Sequence, residues 1–250
     1  MSRRWPRARR RALLGVLAAV VLGAGWFGAP LVLRHLAFFR VRQIELLGVR
    51  NLAPDVVIAA LRLPDGASVF TDTRMLADRV RGLPGVADAQ VVRRLPSALA
   101  VRLTEVEPAA LVPGPRGAGL VVVDAAGRTL PFDPARTGLD LPVAASADSG
   151  VAAVLALIQA LEPALFQTIT GARVVARGDV LLEIGAPAPA PGAPGLRPRR
   201  VLLRRDAGPE VIRAVVLVAQ DLAAKRRPYR ELDARFAGQV VVRRNAGGGA

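Results

Sequence analysis

LPGVADAQVVRRLPSALAVRLTEVE, residues 83–107, decides the fold. Ala87, Ala89 and Val91 alternate with Asp88, Gln90 and Val92. After Leu95-Pro96, Leu99, Val101 and Leu103 alternate with Ala100, Arg102 and Thr104. A period of two marks a strand with one buried face, so the stretch predicts two successive strands. Glu105 and Glu107 fall at strand spacing and mark the end of the second strand before Pro108.

Working upstream, Ile44 and Leu46 alternate ahead of Gly48, a short strand and its exit. Pro54 then opens a helix with Val57, Ala60 and Leu61 at helical spacing. Pro64-Asp65-Gly66 is a turn. A second helix follows Asp72-Thr73, with Leu76, Val80 and Leu83 on one face and Pro84-Gly85 at its end. Residues 39–107 thus read as one unit in the order strand, helix, helix, strand, strand. Two helices on one face of such a sheet bury its apolar side.

Further upstream, Ala12 to Leu33 is 22 residues without a charge. A helix of that length spans about 33 Å, enough for the hydrocarbon layer of a bilayer. It is longer than the apolar region of a cleaved signal peptide. Arg3, Arg4, Arg7, Arg9, Arg10 and Arg11 precede it with no acid among them. The positive-inside rule then places residues 1–11 in the cytoplasm, a transmembrane helix at 12–33, and everything after it outside.

Downstream, residues 108–244 read as a second, antiparallel β domain with packed helices. Leu120–Val123, Arg173–Ala176, Val180–Ile184 and Val201–Leu203 are its strand candidates, and Asp124 and Gly127 bracket a hairpin turn. Val151, Val154, Leu155, Ile158 and Leu161 form one amphipathic stripe; Ile212, Val215, Val216, Ala219 and Leu222 form another. Residues 186–198, rich in proline, alanine and glycine, read as a loop insertion, and 245–250 as a flexible tail.

The chemistry is sparse. There is no cysteine, which removes disulfides, thiolate metal sites and a cysteine nucleophile. His35 is the one histidine and abuts the apolar run, so histidine triads and metal clusters are excluded from the outer region. No phosphate-binding glycine loop appears. The formal net charge is +15, and arginine supplies 34 of the 35 basic residues. From Arg34 onward, however, 29 basic residues face 20 acidic ones, an excess of 9 scattered as pairs. Aromatics are 4% of the chain, too few to build a base-stacking surface. The composition predicts a protein-binding module with no catalytic site, cofactor, nucleic acid or small-molecule substrate.

Four motifs of the first unit make it resemble a POTRA domain: Phe39-x-Val41-x-x-Ile44-x-Leu46-x-Gly48; Leu83-Pro84-Gly85-Val86; Ala89-x-Val91-x-Arg93-x-Leu95-Pro96-x-x-Leu99; and Glu105-x-Glu107-Pro108-x-Ala110. One N-terminal span followed by one such domain is the layout of the FtsQ/DivIB cell-division family. Val123-Asp124-x-x-Gly127, Leu141-Pro142-Val143 and Leu232-Asp233-x-Arg235-Phe236 look like that family's C-terminal β domain. The resemblance implies an α+β chain, β-α-α-β-β followed by a β domain. It implies a non-enzymatic scaffold in the cell inner membrane at the division septum, linking early cytoplasmic and late septal peptidoglycan-building components. The implied partners are the small bitopic division proteins FtsB and FtsL.

In that family a partner segment adds alongside the last strands of the β domain. The matching residues here are Arg235, Phe236, Gly238, Gln239, Val240, Val241 and Val242. Arg235 would pair with an acid of the partner and Phe236 fill an apolar contact. Gly238 would make the turn, and Gln239 to Val242 the edge strand. The sequence departs from the family in carrying Phe236 where tyrosine is commoner, and in the 186–198 insertion. Two other readings compete. One is a POTRA-type module for export or envelope assembly, although no series of barrel strands follows. The other is a membrane-anchored glycan binder using the surplus arginines.

Overall fold

Gly48 shows how closely the first strand is fitted to its neighbour. Its φ is +87°, and a Cβ built there would lie 2.1 Å from the Leu103 carbonyl oxygen. Only glycine turns the chain out of the sheet at that point. The computed structural model describes residue 15 and residues 37–117, 119–185 and 198–244. The chain divides into two compact units between Glu105 and Val106.

The first unit runs β1 (Gln43–Leu47), α1 (Pro54–Leu61), α2 (Thr73–Arg81), β2 (Val86–Arg94) and β3 (Ala98–Glu105), the order its sequence predicts. The sheet order is β1-β3-β2. β1 is parallel to β3, and β2 is antiparallel to it. A parallel neighbour needs a crossover, which the two helices supply. Pro54 sits in the first turn of α1, where its missing N–H costs nothing. Asp72 caps α2 by accepting from the Arg74 and Met75 amides. Val57, Leu61, Val69, Leu76, Val80, Leu99 and Val101 are fully buried, each contributing about 1.5–3 kcal/mol by leaving water.

Two details differ from the sequence reading. Helix α2 stops at Arg81 and is closed by Gly82, so Leu83 lies beyond it. The β2–β3 register shifts between Val86 and Asp88, and this bulge turns Ala87 out to solvent while Val86 takes the inward place.

The second unit opens with β4 (Ala110–Pro113), β5 (Leu120–Val123), β6 (Thr129–Leu130), a one-turn α3 (Pro134–Thr137) and β7 (Val143–Ala144). Next come α4 (Ser149–Leu161), α5 (Pro163–Phe166), β8 (Ile169–Val174), β9 (Val180–Ile184) and β10 (Arg199–Leu203). It closes with α6 (Pro209–Ala224), β11 (Glu231–Phe236) and β12 (Gln239–Arg243). Among the described residues the sheet has nine strands, in the order β12-β11-β10-β9-β8-β7-β4-β5-β6.

It is mixed, which corrects the expectation of an antiparallel sheet. β4 and β7, β7 and β8, and β10 and β11 run parallel. The cause lies in the helical stripes: α4 with α5 joins β7 to β8, and α6 joins β10 to β11, both as crossovers between parallel neighbours. Val151, Val154, Leu155, Ile158, Ile212, Val215 and Leu222 from these helices share one core with Leu182, Val201, Leu203 and Leu232 of the sheet. The strand read at Arg173–Ala176 instead spans Ile169–Val174, because Arg177 at φ +68° turns the chain. β4, β6 and β7 escape the sequence reading, being two to four residues long.

Asp124 makes the expected turn. Its buried carboxylate accepts from the Ala126 and Arg128 amides and from Arg128 Nε, at 2.8–2.9 Å. The 186–198 segment joins β9 to β10 at a point where Ile184 pairs with Arg199; residues 186–197 lie outside those described. So do the basic cluster at 1–11, the 12–33 run apart from Gly15, and 245–250. Among the described residues no helix is long and apolar enough to cross a membrane.

Candidate partner-binding edge

β12 is the terminal strand of the nine-stranded sheet. Among the described residues it pairs with β11 alone, Glu231 opposite Arg243 through to Phe236 opposite Gln239. Its outer edge therefore carries a row of main-chain N–H and C=O groups with no strand beside them among the described residues. Gly238 at φ +70° closes the two-residue turn between Phe236 and Gln239, the conformation such a tight hairpin requires. Along β12 the side chains alternate. Val240 and Val242 pack against the core, while Gln239, Val241 and Arg243 are exposed. Phe236, the partner of Gln239, is 54% exposed, and Val241 is 40% exposed. The free edge thus carries an apolar pair on the face away from the helices.

That face is held by an ion-pair network. Asp233 is fully buried. It accepts from Arg235 through Nε at 2.8 Å and Nη2 at 2.7 Å, a two-pronged contact. Arg235 Nη1 reaches Asp179, just ahead of β9, at 2.9 Å, and Arg243 of β12 approaches Asp233 at 3.5 Å. The hydrogen bonds from Arg235 outweigh the opposing effect of burial and hold the Asp233 carboxyl below the ordinary carboxylate range. The bonds Arg235 donates to Asp233, and then the one to Asp179, raise its own pKa, so both Asp233 and Arg235 stay charged. Beside the network, Arg243, Glu231, Arg200 and Glu183 are successive register partners across β12, β11, β10 and β9. Arg243 meets Glu231 at 3.2 Å. Alternating charge across neighbouring strands favours this register over a slipped one.

The seven residues singled out in the sequence therefore fall together on one hairpin, with different parts. Phe236, Gln239 and Val241 face solvent; Val240 and Val242 serve the core; Gly238 makes the turn. Arg235 is engaged inside its own unit. Its pairing with Asp233 and Asp179 takes up the guanidinium that the resemblance would offer to a partner acid. Sequence reasoning missed Asp233 and Asp179 as its holders. A signal for the first was present, since Asp233 and Arg235 stand two apart on one strand and so share a face. Asp179 is 56 residues away, and nothing local points to it.

Comparison with known proteins follows the same division. Residues 39–105 match a family model described as the POTRA domain, FtsQ-type. Proteins named Cell division protein FtsQ match over longer stretches. That of Anaeromyxobacter sp. (strain K) is 37% identical over 146 residues, 56% of this chain and 47% of its own length. That of Streptomyces venezuelae is 34% identical over 128 residues, 50% of this chain and 45% of its own. The Mycobacterium tuberculosis (strain H37Rv) protein is 31% identical over 155 residues, 61% and 49% respectively. The matches span about half the length of these curated relatives. The first unit is a POTRA domain of the FtsQ type. Over 50–61% of its length the chain is similar to proteins named Cell division protein FtsQ.

Proposed function

We propose that this protein is a non-enzymatic scaffold of the cell-division machinery, anchored by residues 12–33 in the cell membrane with both folded units outside the cytoplasm. It links early cytoplasmic components to the late septal peptidoglycan-building ones by binding FtsB- and FtsL-like bitopic proteins. The relatives' shared name supports the division role. The observation that carries the binding mode is the free edge of β12 with Phe236 and Val241 exposed beside it. An extended partner segment placed there continues the sheet through main-chain hydrogen bonds, and its alternate side chains meet the apolar pair. Arg235 acts in this reading as the residue that holds the hairpin in register.

Co-purification from the native host tests the reading. The full-length chain retains FtsB- and FtsL-like proteins, and Phe236→Ala weakens the association while the purified variant keeps its melting transition. Depletion of the protein gives undivided filaments. Full partner retention by Phe236→Ala contradicts the edge assignment, and normal septation on depletion contradicts the scaffold role.

A further inference from the structure

We propose that one end of the POTRA unit is itself a membrane-contact surface, resting on the headgroups of an anionic bilayer through Phe38, Leu95, Arg40, Arg42 and Arg94. The inference rests on the reading of residues 12–33 as a membrane anchor. Three chain segments are knitted together at this end. The Arg42 amide donates to the Ser97 carbonyl at 2.8 Å, the Val41 amide to Ala67 at 2.8 Å, and the Val69 amide to Phe39 at 2.9 Å. Gln43 and Arg94 are both level with Ala98 in the sheet. The approach to β1, the 67–71 loop and the β2–β3 turn therefore share one end.

Phe38 and Leu95 there are 61% and 65% exposed, the two most exposed large apolar side chains among the described residues of this unit. Phe38 stands edge-on to Phe39 at 5.1 Å, and Phe39 packs on Phe70 at 5.2 Å, so the protruding ring has a built base. Arg40, Arg42 and Arg94 are exposed around it. Arg93 is set apart, its guanidinium holding the Val69 and Thr71 carbonyls at 2.9 and 3.0 Å. Of the bordering acids, Asp65 and Asp72, the second is engaged in capping α2.

Distance selects the occupant. Five residues, Arg34 to Phe38, separate the apolar run from Phe39, a reach of roughly 17 Å even fully extended. Once the run spans the bilayer, this end stands at its surface. Aromatic and leucine side chains ringed by arginine suit the headgroup boundary, where apolar tips enter and cations meet lipid phosphate. The attraction falls off within a Debye length, about 10 Å at 0.1 M salt.

The chain has no cysteine, so single-cysteine labelling is clean. The full-length chain carrying Leu95→Cys with an environment-sensitive fluorophore is reconstituted into vesicles of phosphatidylglycerol and phosphatidylcholine containing headgroup-level spin-labelled lipid. A label at Ile58→Cys on α1, 43% exposed, serves as the control. The expected result is several-fold stronger quenching at position 95 than at 58. The difference shrinks in pure phosphatidylcholine, at high salt, and in Arg40→Glu with Arg42→Glu. Equal quenching at the two positions in a chain that floats with the vesicles overturns the docking while leaving the anchor standing, and assigns the patch to a protein partner instead. A chain that does not float overturns both.

Discussion

At the scale of single residues, Asp233 and Arg235 show how buried charge fixes a surface hairpin. With Asp233 fully buried, Arg235→Ala leaves its carboxylate without its main counter-charge, and removing one partner of a buried pair costs about 3–5 kcal/mol. Urea unfolding is expected to show that loss in the second unit, whereas Phe236→Ala, at an exposed position, stays within about 1 kcal/mol of the parent. The pH dependence follows from the depressed Asp233 carboxyl. A group whose folded pKa lies below its unfolded one stabilises the fold above the unfolded value and loses that contribution as pH falls through the folded value. The parent is therefore expected to lose stability below about pH 4, with the reference aspartate near 3.9, and Asp233→Asn to show a flatter acid limb. Glu105 is the residue whose sequence reading was thinnest. It ends β3, as its spacing predicts, and its carboxylate also accepts from the Arg50, Asn51 and Leu52 amides and from Asn51 Nδ2 at 2.8–3.0 Å. Its partners lie more than 50 residues away, a separation at which no periodicity speaks. Glu105→Ala is expected to destabilise the POTRA unit by about 2 kcal/mol, the usual range for losing charged hydrogen bonds. Faster amide exchange at Arg50, Asn51 and Leu52 is the check.

At the scale of elements, the first unit was legible in order and type because each element carries its own local signal. Pro54 opens α1, Asp72 caps α2, and β2 and β3 alternate. Gly48 belongs here: its positive φ and the close Leu103 carbonyl make Gly48→Ala incompatible with the β1–β3 pairing. That variant is expected to lower the melting temperature by several degrees, equivalent to about 2 kcal/mol or more. In the second unit the helical stripes were legible, but not what they connect. A stripe gives the buried face of α6 and is silent on whether β10 and β11 run parallel. Strands of two residues, such as β6 and β7, are too short for any period to register. They exist because neighbouring strands supply their partners.

At the scale of the whole molecule, sequence order puts a basic cluster, an apolar run, a POTRA domain and a β unit in line. In the proposed membrane topology, orientation would rest on Arg3, Arg4, Arg7, Arg9, Arg10 and Arg11, which have no acid among them. Replacing all six with glutamine is expected to give a mixed population in protease-protection assays, with some β units trapped inside; unchanged protection contradicts that assignment. The scaffold reading requires the last strand to accept a partner strand, and one measurement tests it most directly. The full-length chain is titrated with the extracytoplasmic segment of an FtsB-like partner while amide exchange is followed along Gln239–Arg243. Alternate amides of β12 are expected to become protected on binding, and Phe236→Ala to reduce the protection. Tight binding that leaves exchange along β12 unchanged would contradict the scaffold reading.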